Sequence, residues 1–170
     1  MKTNVYYYTF ETAFGKMFIA STNKGVCIAN FVDENYETQL SWLNKYFHED
    51  NIYKDKDKNI NAYNQLQEYF KGDRKFFDLT LDILGTTFQK QVWSLLEEIP
   101  YGELLTYKDM AIKLGDSKKS RAVGGAVGKN PIIIIVPCHR VIGSNGKMTG
   151  FSSVGGIELK KNLLKLEKSI

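Results

Sequence analysis

The pattern of apolar residues changes near Gly85, and this change constrains the fold more than any other feature of the sequence. Before it, three short segments rich in aromatic and β-branched residues are separated by turn residues and predict strands. These predicted strands span residues 5–9, 16–21 and 25–31. Two amphipathic helices are expected to follow, near residues 36–47 and 60–70. Since 170 residues suffice for two modest domains, we expect an α/β domain over residues 1–82.

Short capped helices are predicted in the remainder, residues 83–170. Three residues of the type that caps helices each precede an amphipathic or basic stretch. They are Thr86, which forms a capping-box pattern with Gln89, then Thr106 and Ser117. The second and third helices are joined by a tight turn at Gly115. Two short helices joined in this way indicate a helix-turn-helix whose second helix is basic.

The third predicted helix, residues 118–128, contains three glycines. Each glycine in a helix interior costs about 1 kcal/mol, which a helix used only for packing has no reason to accept. A backbone that must approach another surface closely does have a reason. Because Lys118, Lys119 and Arg121 lie beside the glycines, close contact with a phosphodiester backbone is favoured over a frayed loop.

Charge is distributed unevenly along the chain. Residues 85–170 contain 13 Lys and Arg against 7 Asp and Glu, whereas residues 1–84 contain 10 and 12. No acidic residue occurs between Ser117 and Ile157. Such a one-sided basic region is typical of a surface that binds a polyanion, although charge alone is equally compatible with a solvated basic face.

Several classes of protein are excluded by composition. No segment approaches eighteen consecutive apolar residues, and the first thirty residues lack the apolar block of a signal peptide. Two cysteines and two histidines, scattered along the chain, match neither a disulfide framework nor a structural zinc site. We therefore expect a cytoplasmic protein with no membrane contact, metal or cofactor, and a monomer by default.

Cys138 is the candidate nucleophile. It follows Pro137 at the end of an apolar run, residues 132–136, that predicts a buried strand, and a hairpin is expected after it around Asn145-Gly146. His139 and Arg140 come next, and cationic neighbours are expected to lower the pKa of the thiol. A turn or a bridging water must bring His139 to the thiol, because adjacent side chains of an extended chain point apart. Glu167 is the candidate acid to orient the imidazole.

The segment Pro137-Cys138-His139-Arg140-Val141 resembles the active-site motif of the O6-alkylguanine-DNA alkyltransferases. The resemblance extends over residues 66–170, through motifs that occur in the same order. These are Leu66 to Leu79, Gly85 to Trp93, Arg121 to Pro131, and Gly155 to Leu164. It implies a small ribonuclease-H-like α/β domain followed by a winged-helix-like, DNA-binding catalytic domain.

The family resemblance also implies a reaction, DNA repair by direct reversal of damage. An O6-alkylguanine, mainly O6-methylguanine, is flipped out of duplex DNA, and its alkyl group is transferred irreversibly to Cys138, so that each molecule acts once. His139 is implied to act through a water as the base, with Glu167 orienting it. Asn130 is implied to brace the active-site turn, and Tyr107 to assist proton delivery to the leaving guanine.

The same resemblance implies that the second helix of the helix-turn-helix enters the minor groove. Arg121 would occupy the place of the flipped base in the stack. The other implied DNA contacts are Lys118, Lys119, Ala122, Gly124 and Lys129, and the implied base contacts are Val141, Phe151 and Ser152. Phe151 stands where the family usually has Tyr, and Ser153-Val154 are additional residues. The accepted alkyl size and activity on O4-methylthymine therefore stay open.

Three other functions are compatible with parts of this pattern. A lesion-binding protein without transfer activity is disfavoured, because such proteins lack a cysteine at the position of Cys138. A hydrolase with a Cys–His–Glu triad would turn over and would not need the glycine-rich basic helix. A structural winged-helix module with an inert cysteine would react slowly with thiol reagents.

Overall fold

The computed structural model describes residues 2–148, 151 and 153–170. The chain forms two compact units, Met1–Ile83 and Leu84–Ile170. Within the described ranges, no helix has the length and apolar character that crossing a membrane requires.

The first unit is a four-stranded sheet with two helices. The elements are β1 (Val5–Thr12), β2 (Gly15–Thr22), β3 (Gly25–Val32), α1 (Glu37–Asn44), β4 (Ile52–Lys54) and α2 (Ile60–Phe70). The strand order is β3-β2-β1-β4, with β1 antiparallel to β2, β2 antiparallel to β3, and β4 parallel to β1. Strand β4 was not predicted, because its three residues lie in a segment of alternating Lys and Asp that indicates an exposed loop.

Segment 80–82 closes this unit by pairing with β3. The Val26 N–H donates to the Thr80 carbonyl at 2.9 Å, and the Asp82 N–H donates to the Val26 carbonyl at 2.8 Å. Gly25 permits this approach, because a Cβ there would lie 2.3 Å from the Thr80 carbonyl oxygen and its φ is +141°. Leu81 thus forms a short parallel bridge to Val26 of β3.

The second unit is mainly helical. Its elements are α3 (Thr87–Glu97), β5 (Leu105–Thr106), α4 (Tyr107–Lys113), α5 (Ser120–Gly128), β6 (Val141–Ile142) and α6 (Gly156–Leu166), with β5 parallel to β6. Thr86 and Gln89 form the predicted capping box of α3, and Thr106 caps α4 together with Asp109. The prediction that Ser117 caps the third helix is wrong. Asp116 accepts from the Lys118 N–H, and a 3₁₀ turn precedes α5.

The apolar run 132–136 is a buried turn, so the prediction of a strand is wrong. The Val136 N–H donates to the Ile132 carbonyl and the Ile135 N–H to the Ile133 carbonyl, both at 2.9 Å. Ile134 has a φ of 73°, which is unusual for a β-branched residue. A run of apolar residues indicates burial but not backbone direction. Here hydrogen bonds within the turn and to the Asn130 side chain pair its backbone groups.

The turn of the expected hairpin is present. The Gly143 N–H donates to the Lys147 carbonyl at 2.9 Å. Its first strand, β6, pairs with β5. Part of the predicted return strand, Thr149 and Gly150, lies outside the described residues.

Candidate active site

Cys138 begins a 3₁₀ turn, Cys138–Arg140, directly after the buried turn 132–136. Its side chain is buried, and its N–H donates to the Val136 carbonyl at 2.8 Å. The backbone therefore bends at the position where the sequence required a bend to bring His139 near the thiol. Both cysteines of the chain, Cys27 and Cys138, are free thiols.

Asn130 follows α5 and holds the turn that carries Cys138. Its Nδ2 donates to the Val136 carbonyl at 2.8 Å, and its Oδ1 accepts from the Ile132 N–H at 3.0 Å. The same side chain acts to lower the pKa of the Cys138 thiol. A buried amide with these two hydrogen bonds matches the bracing role that the resemblance implies for Asn130, which stays a proposal.

His139 and Glu167 form a buried pair in which both side chains are completely inaccessible. The His139 Nε2 lies 2.7 Å from the Glu167 Oε2. Because an ionised carboxylate only accepts hydrogen bonds, Nε2 carries the proton and Nδ1 is the basic nitrogen. This Nδ1 is buried without a hydrogen-bond partner among the described residues, so it is the atom able to receive a proton.

The pKa of the Cys138 thiol contradicts the expectation from sequence. Burial raises this pKa from 9.0 to about 11, and the Asn130 hydrogen bond, the Lys160 charge and backbone N–H groups only partly offset it. Arg140 does not contribute, because its guanidinium is directed at Glu167 and the Ile99 carbonyl. The resting protein therefore holds a neutral thiol at pH 7, and the proton must be removed during the reaction.

Sequence reasoning assigned no role to Lys160, which is completely buried. Its Nζ donates to the Val141 carbonyl and lies 6.0 Å from the ring centroid of Tyr107. Burial lowers its pKa to about 8, and its charge favours the Cys138 thiolate. The signal in the sequence was a lysine on the apolar stripe of α6, three residues before Leu163.

Tyr107 lies between two parts of the site. Its ring is near the Lys160 ammonium, and a Cβ built on Gly124 of α5 would lie 3.8 Å from it. Trp93 of α3 donates from Nε1 to the Ala126 carbonyl at 2.8 Å and so fixes α5 from its buried side. The glycine-rich helix is thus held beside the residues proposed to carry the chemistry.

A slow reaction of the free protein with iodoacetamide is expected at pH 7, because only the thiolate is nucleophilic. The thiol stays neutral below its pKa of about 11, so the alkylation rate should rise with pH up to that value. The measurement is the mass-resolved alkylation rate of a Cys27→Ala variant, which leaves Cys138 as the sole thiol. A rate that is already maximal at pH 7 would contradict the raised pKa.

Comparison with known proteins decides the family. Residues 5–83 match the family model of the 6-O-methylguanine DNA methyltransferase ribonuclease-like domain, and residues 87–169 match that of its DNA-binding domain. The chain belongs to the methylated-DNA–protein-cysteine methyltransferase family. The family assignment from the active-site motif is therefore confirmed, as is the class of fold, a ribonuclease-like domain followed by a DNA-binding domain.

Relatives and solved structures agree with this family. The methylated-DNA–protein-cysteine methyltransferase of Methanosarcina acetivorans is 45% identical over 169 residues, covering 97% of this chain and 99% of the relative. The crystal structure of Mycobacterium tuberculosis O6-methylguanine methyltransferase has a TM-score of 0.84 at 40% identity, covering 97% of this chain and 93% of that one. A structure of Mycobacterium tuberculosis OGT in complex with DNA has a TM-score of 0.82 at 40% identity, covering 96% and 93%.

Membership in this methyltransferase family establishes the general activity. The chain is a methyltransferase that acts in DNA repair by alkyl transfer to a protein cysteine, and DNA is its partner.

The candidate DNA contacts lie on and beside α5. Arg121, Ala122, Lys118, Lys119 and Lys129 are all exposed, and Gly124 is half-buried. Of the candidate base contacts, Val141 is buried, with its carbonyl accepting from Lys160, and Phe151 is half-buried. Ser152 lies outside the described residues.

Proposed function

We propose that this chain removes the alkyl group from O6-alkylguanine, mainly O6-methylguanine, in duplex DNA and keeps it on Cys138. The observation that carries the proposal is the arrangement around the thiol. A buried cysteine lies in a turn braced by Asn130, next in sequence to a histidine whose Nε2 is held by Glu167. The exposed basic helix α5 belongs to the same unit.

The proposed chemistry is a single displacement. The Cys138 proton passes to His139 Nδ1, directly or through a water, and the thiolate attacks the alkyl carbon. A carbon–sulfur bond forms as the carbon–O6 bond breaks, and the electron pair leaves with the guanine. The guanine takes up one proton, for which the Tyr107 hydroxyl is the proposed donor. The Tyr107 oxygen then regains a proton from solvent, and His139 releases the proton that it took from Cys138. A thioether is stable to hydrolysis at neutral pH, so each molecule is proposed to act once.

Base flipping is proposed because the nucleophile is buried. The Cys138 side chain is 4% exposed, and the O6 atom of a stacked guanine lies inside the duplex. Extruding the base costs a few kcal/mol of stacking and pairing. We propose that Arg121, exposed on α5, enters the stack and offsets part of this cost.

The proposed docking element is α5, placed in the minor groove. Its exposed positions combine small residues, Ala122 and Gly125, with the basic side chain of Arg121. The basic residues that flank the helix are proposed to contact phosphates; they are Lys118, Lys119 and Lys129. The small residues Ala122 and Gly124 are proposed to let the helix backbone approach the DNA closely. The residues proposed to contact the flipped base are Val141, Phe151 and Ser152. We propose that the protein binds DNA as a monomer.

The test is the intact mass of the protein after incubation with a duplex carrying one O6-methylguanine. A gain of one methylene group per repaired lesion is expected, and it should be absent from Cys138→Ser. Cys27→Ala serves as the matched control, because it removes the other buried thiol and should leave the mass gain unchanged. Tight lesion binding without a mass gain would instead identify a lesion-binding protein.

Replacing Gly125 with alanine is expected to stabilise the protein and weaken its DNA binding. A Cβ at this helical position would meet no atom within 4 Å, so the variant should gain about 0.5–1 kcal/mol from the better helix former. The same methyl group would stand on the face proposed to approach DNA. Urea unfolding and a duplex-binding titration measure the two effects. The control is Ser94→Ala, an exposed position on α3, which should leave the DNA affinity unchanged. If Gly125→Ala also leaves the DNA affinity unchanged, the result contradicts the proposal that α5 contacts DNA.

A further inference from the structure

Arg140 is almost completely buried and makes a specific set of contacts, although sequence reasoning linked it only to the thiol. Its Nε donates to Glu167 Oε1 at 2.8 Å, and its Nη2 donates to Glu167 Oε2 at 3.1 Å. Its Nη1 donates to the Ile99 carbonyl at 2.6 Å, and the guanidinium lies 5.7 Å from the ring centroid of Tyr101. The guanidinium thus contacts both oxygens of the carboxylate that orients His139.

This arrangement changes what Glu167 does to the histidine. An ionised carboxylate 2.7 Å from an imidazole nitrogen favours the charged imidazolium, which cannot accept another proton. A guanidinium on the same carboxylate supplies the compensating positive charge. The carboxylate then keeps its geometric effect on the ring while its electrostatic effect is partly offset.

The groups around His139 act on its pKa in opposite directions, and the lowering effects prevail. Burial lowers the pKa of His139 below its ordinary value of 6.5, Glu167 raises it, and Arg140 and Lys160 lower it. Cys138 is neutral at pH 7, and Tyr101, whose pKa is raised by burial, is neutral as well. Glu167 is therefore the single anionic group facing the imidazole among the described residues, and Arg140 is bonded to it.

We propose that Arg140 is a positioning residue that, together with burial, keeps His139 an uncharged base by offsetting the negative charge of the Glu167 carboxylate through a bidentate contact. The consequence for alkyl transfer rests on the proposed function, but the charge state of His139 can be measured without any reaction. An uncharged His139 is needed because the thiol is itself protonated at rest.

The experiment is an NMR titration of the imidazole groups. The chain contains only His48 and His139, and His48 is largely exposed, so it serves as an internal reference. In the wild-type protein His139 should be neutral at pH 7, in the tautomer with its proton on Nε2. In Arg140→Gln the pKa of His139 should rise by about one to two units, because the carboxylate charge is no longer balanced.

Two variants separate charge from structure. Arg140→Lys keeps the positive charge and should hold the pKa of His139 close to the wild-type value. Arg74→Gln removes the guanidinium of a partly exposed Arg–Glu pair in the other unit and should leave His139 unchanged. The proposal is overturned if wild-type His139 is charged at pH 7, which is decisive even if Arg140→Gln fails to fold. It is equally overturned if Arg140→Gln folds and His139 titrates as in the wild type.

Alkyl transfer provides a second, separate readout. With an O6-methylguanine duplex, the acidic limb of the pH–rate profile should move to higher pH in Arg140→Gln, in step with the NMR titration. A protein that transfers no alkyl group would refute the proposed function but leave the titration result intact. A rate loss at all pH values, with no shift of the limb, would show that Arg140 acts only in folding.

Discussion

Replacing Glu167 with alanine is expected to lower the free energy of unfolding by about 3–5 kcal/mol. The substitution leaves the guanidinium of Arg140, 6% exposed, with no counter-charge, and leaves His139 Nε2 without its acceptor. A buried charge that loses its partner bears the full cost of desolvation. Urea unfolding at pH 7 measures the loss.

Glu68→Ala is the matched control for this substitution. It removes the acid of the Arg74–Glu68 pair, whose side chains are 26% and 46% exposed, and should cost no more than about 1 kcal/mol. If the two glutamate variants lose equal stability, the buried network around Glu167 contributes less than its geometry indicates.

The Glu167 contribution also has a defined pH dependence. Burial raises the pKa of Glu167, but hydrogen bonds from His139 and Arg140 outweigh it and hold the pKa at about 2, below the ordinary 4.5. A carboxyl whose pKa is lowered in the folded state stabilises the protein above its unfolded pKa. This stability is lost as pH falls through about 2, and the loss should be missing from acid titrations of Glu167→Gln.

Replacing Asn130 with alanine is expected to slow alkyl transfer by about 10- to 100-fold. A hydrogen bond to a charged group contributes about 1.5–3 kcal/mol, and the Asn130 amide favours the thiolate over the neutral thiol. Two further hydrogen bonds, to the Val136 carbonyl and from the Ile132 N–H, are lost as well. Single-turnover transfer from an O6-methylguanine duplex measures the rate.

Asn59→Ala controls for the general cost of losing a buried asparagine. Asn59 is 2% exposed and bonds Ser21, the Tyr6 carbonyl and the Asp55 carbonyl in the first unit. We expect Asn59→Ala to lose about as much stability as Asn130→Ala. Under conditions where both variants are folded, Asn59→Ala should transfer the alkyl group at the wild-type rate. A wild-type rate for Asn130→Ala would show that the amide braces the turn without assisting the thiolate.

Features that depend on nearby residues were predictable. The capping boxes at Thr86 and Thr106 are local hydrogen bonds between residues three apart, so the sequence pattern located both helix starts. The glycine-rich α5 was recognisable because the cost of glycine in a helix does not depend on the rest of the fold. The motif around Cys138 indicated the family, and Glu167 was found because few acids follow Asp116.

Features that depend on residues far apart in the chain were decided by the tertiary structure alone. Arg140 and Glu167 are 27 residues apart, so no local pattern shows that the guanidinium is directed at the acid and away from the thiol. The raised pKa of Cys138 and the lowered pKa of Lys160 follow from desolvation, which depends on every element packed around them. The sequence alone thus determined the family and the candidate residues of the site, whereas the tertiary structure decided which of them are buried and in which direction their pKa values shift, because burial is a property of the whole fold.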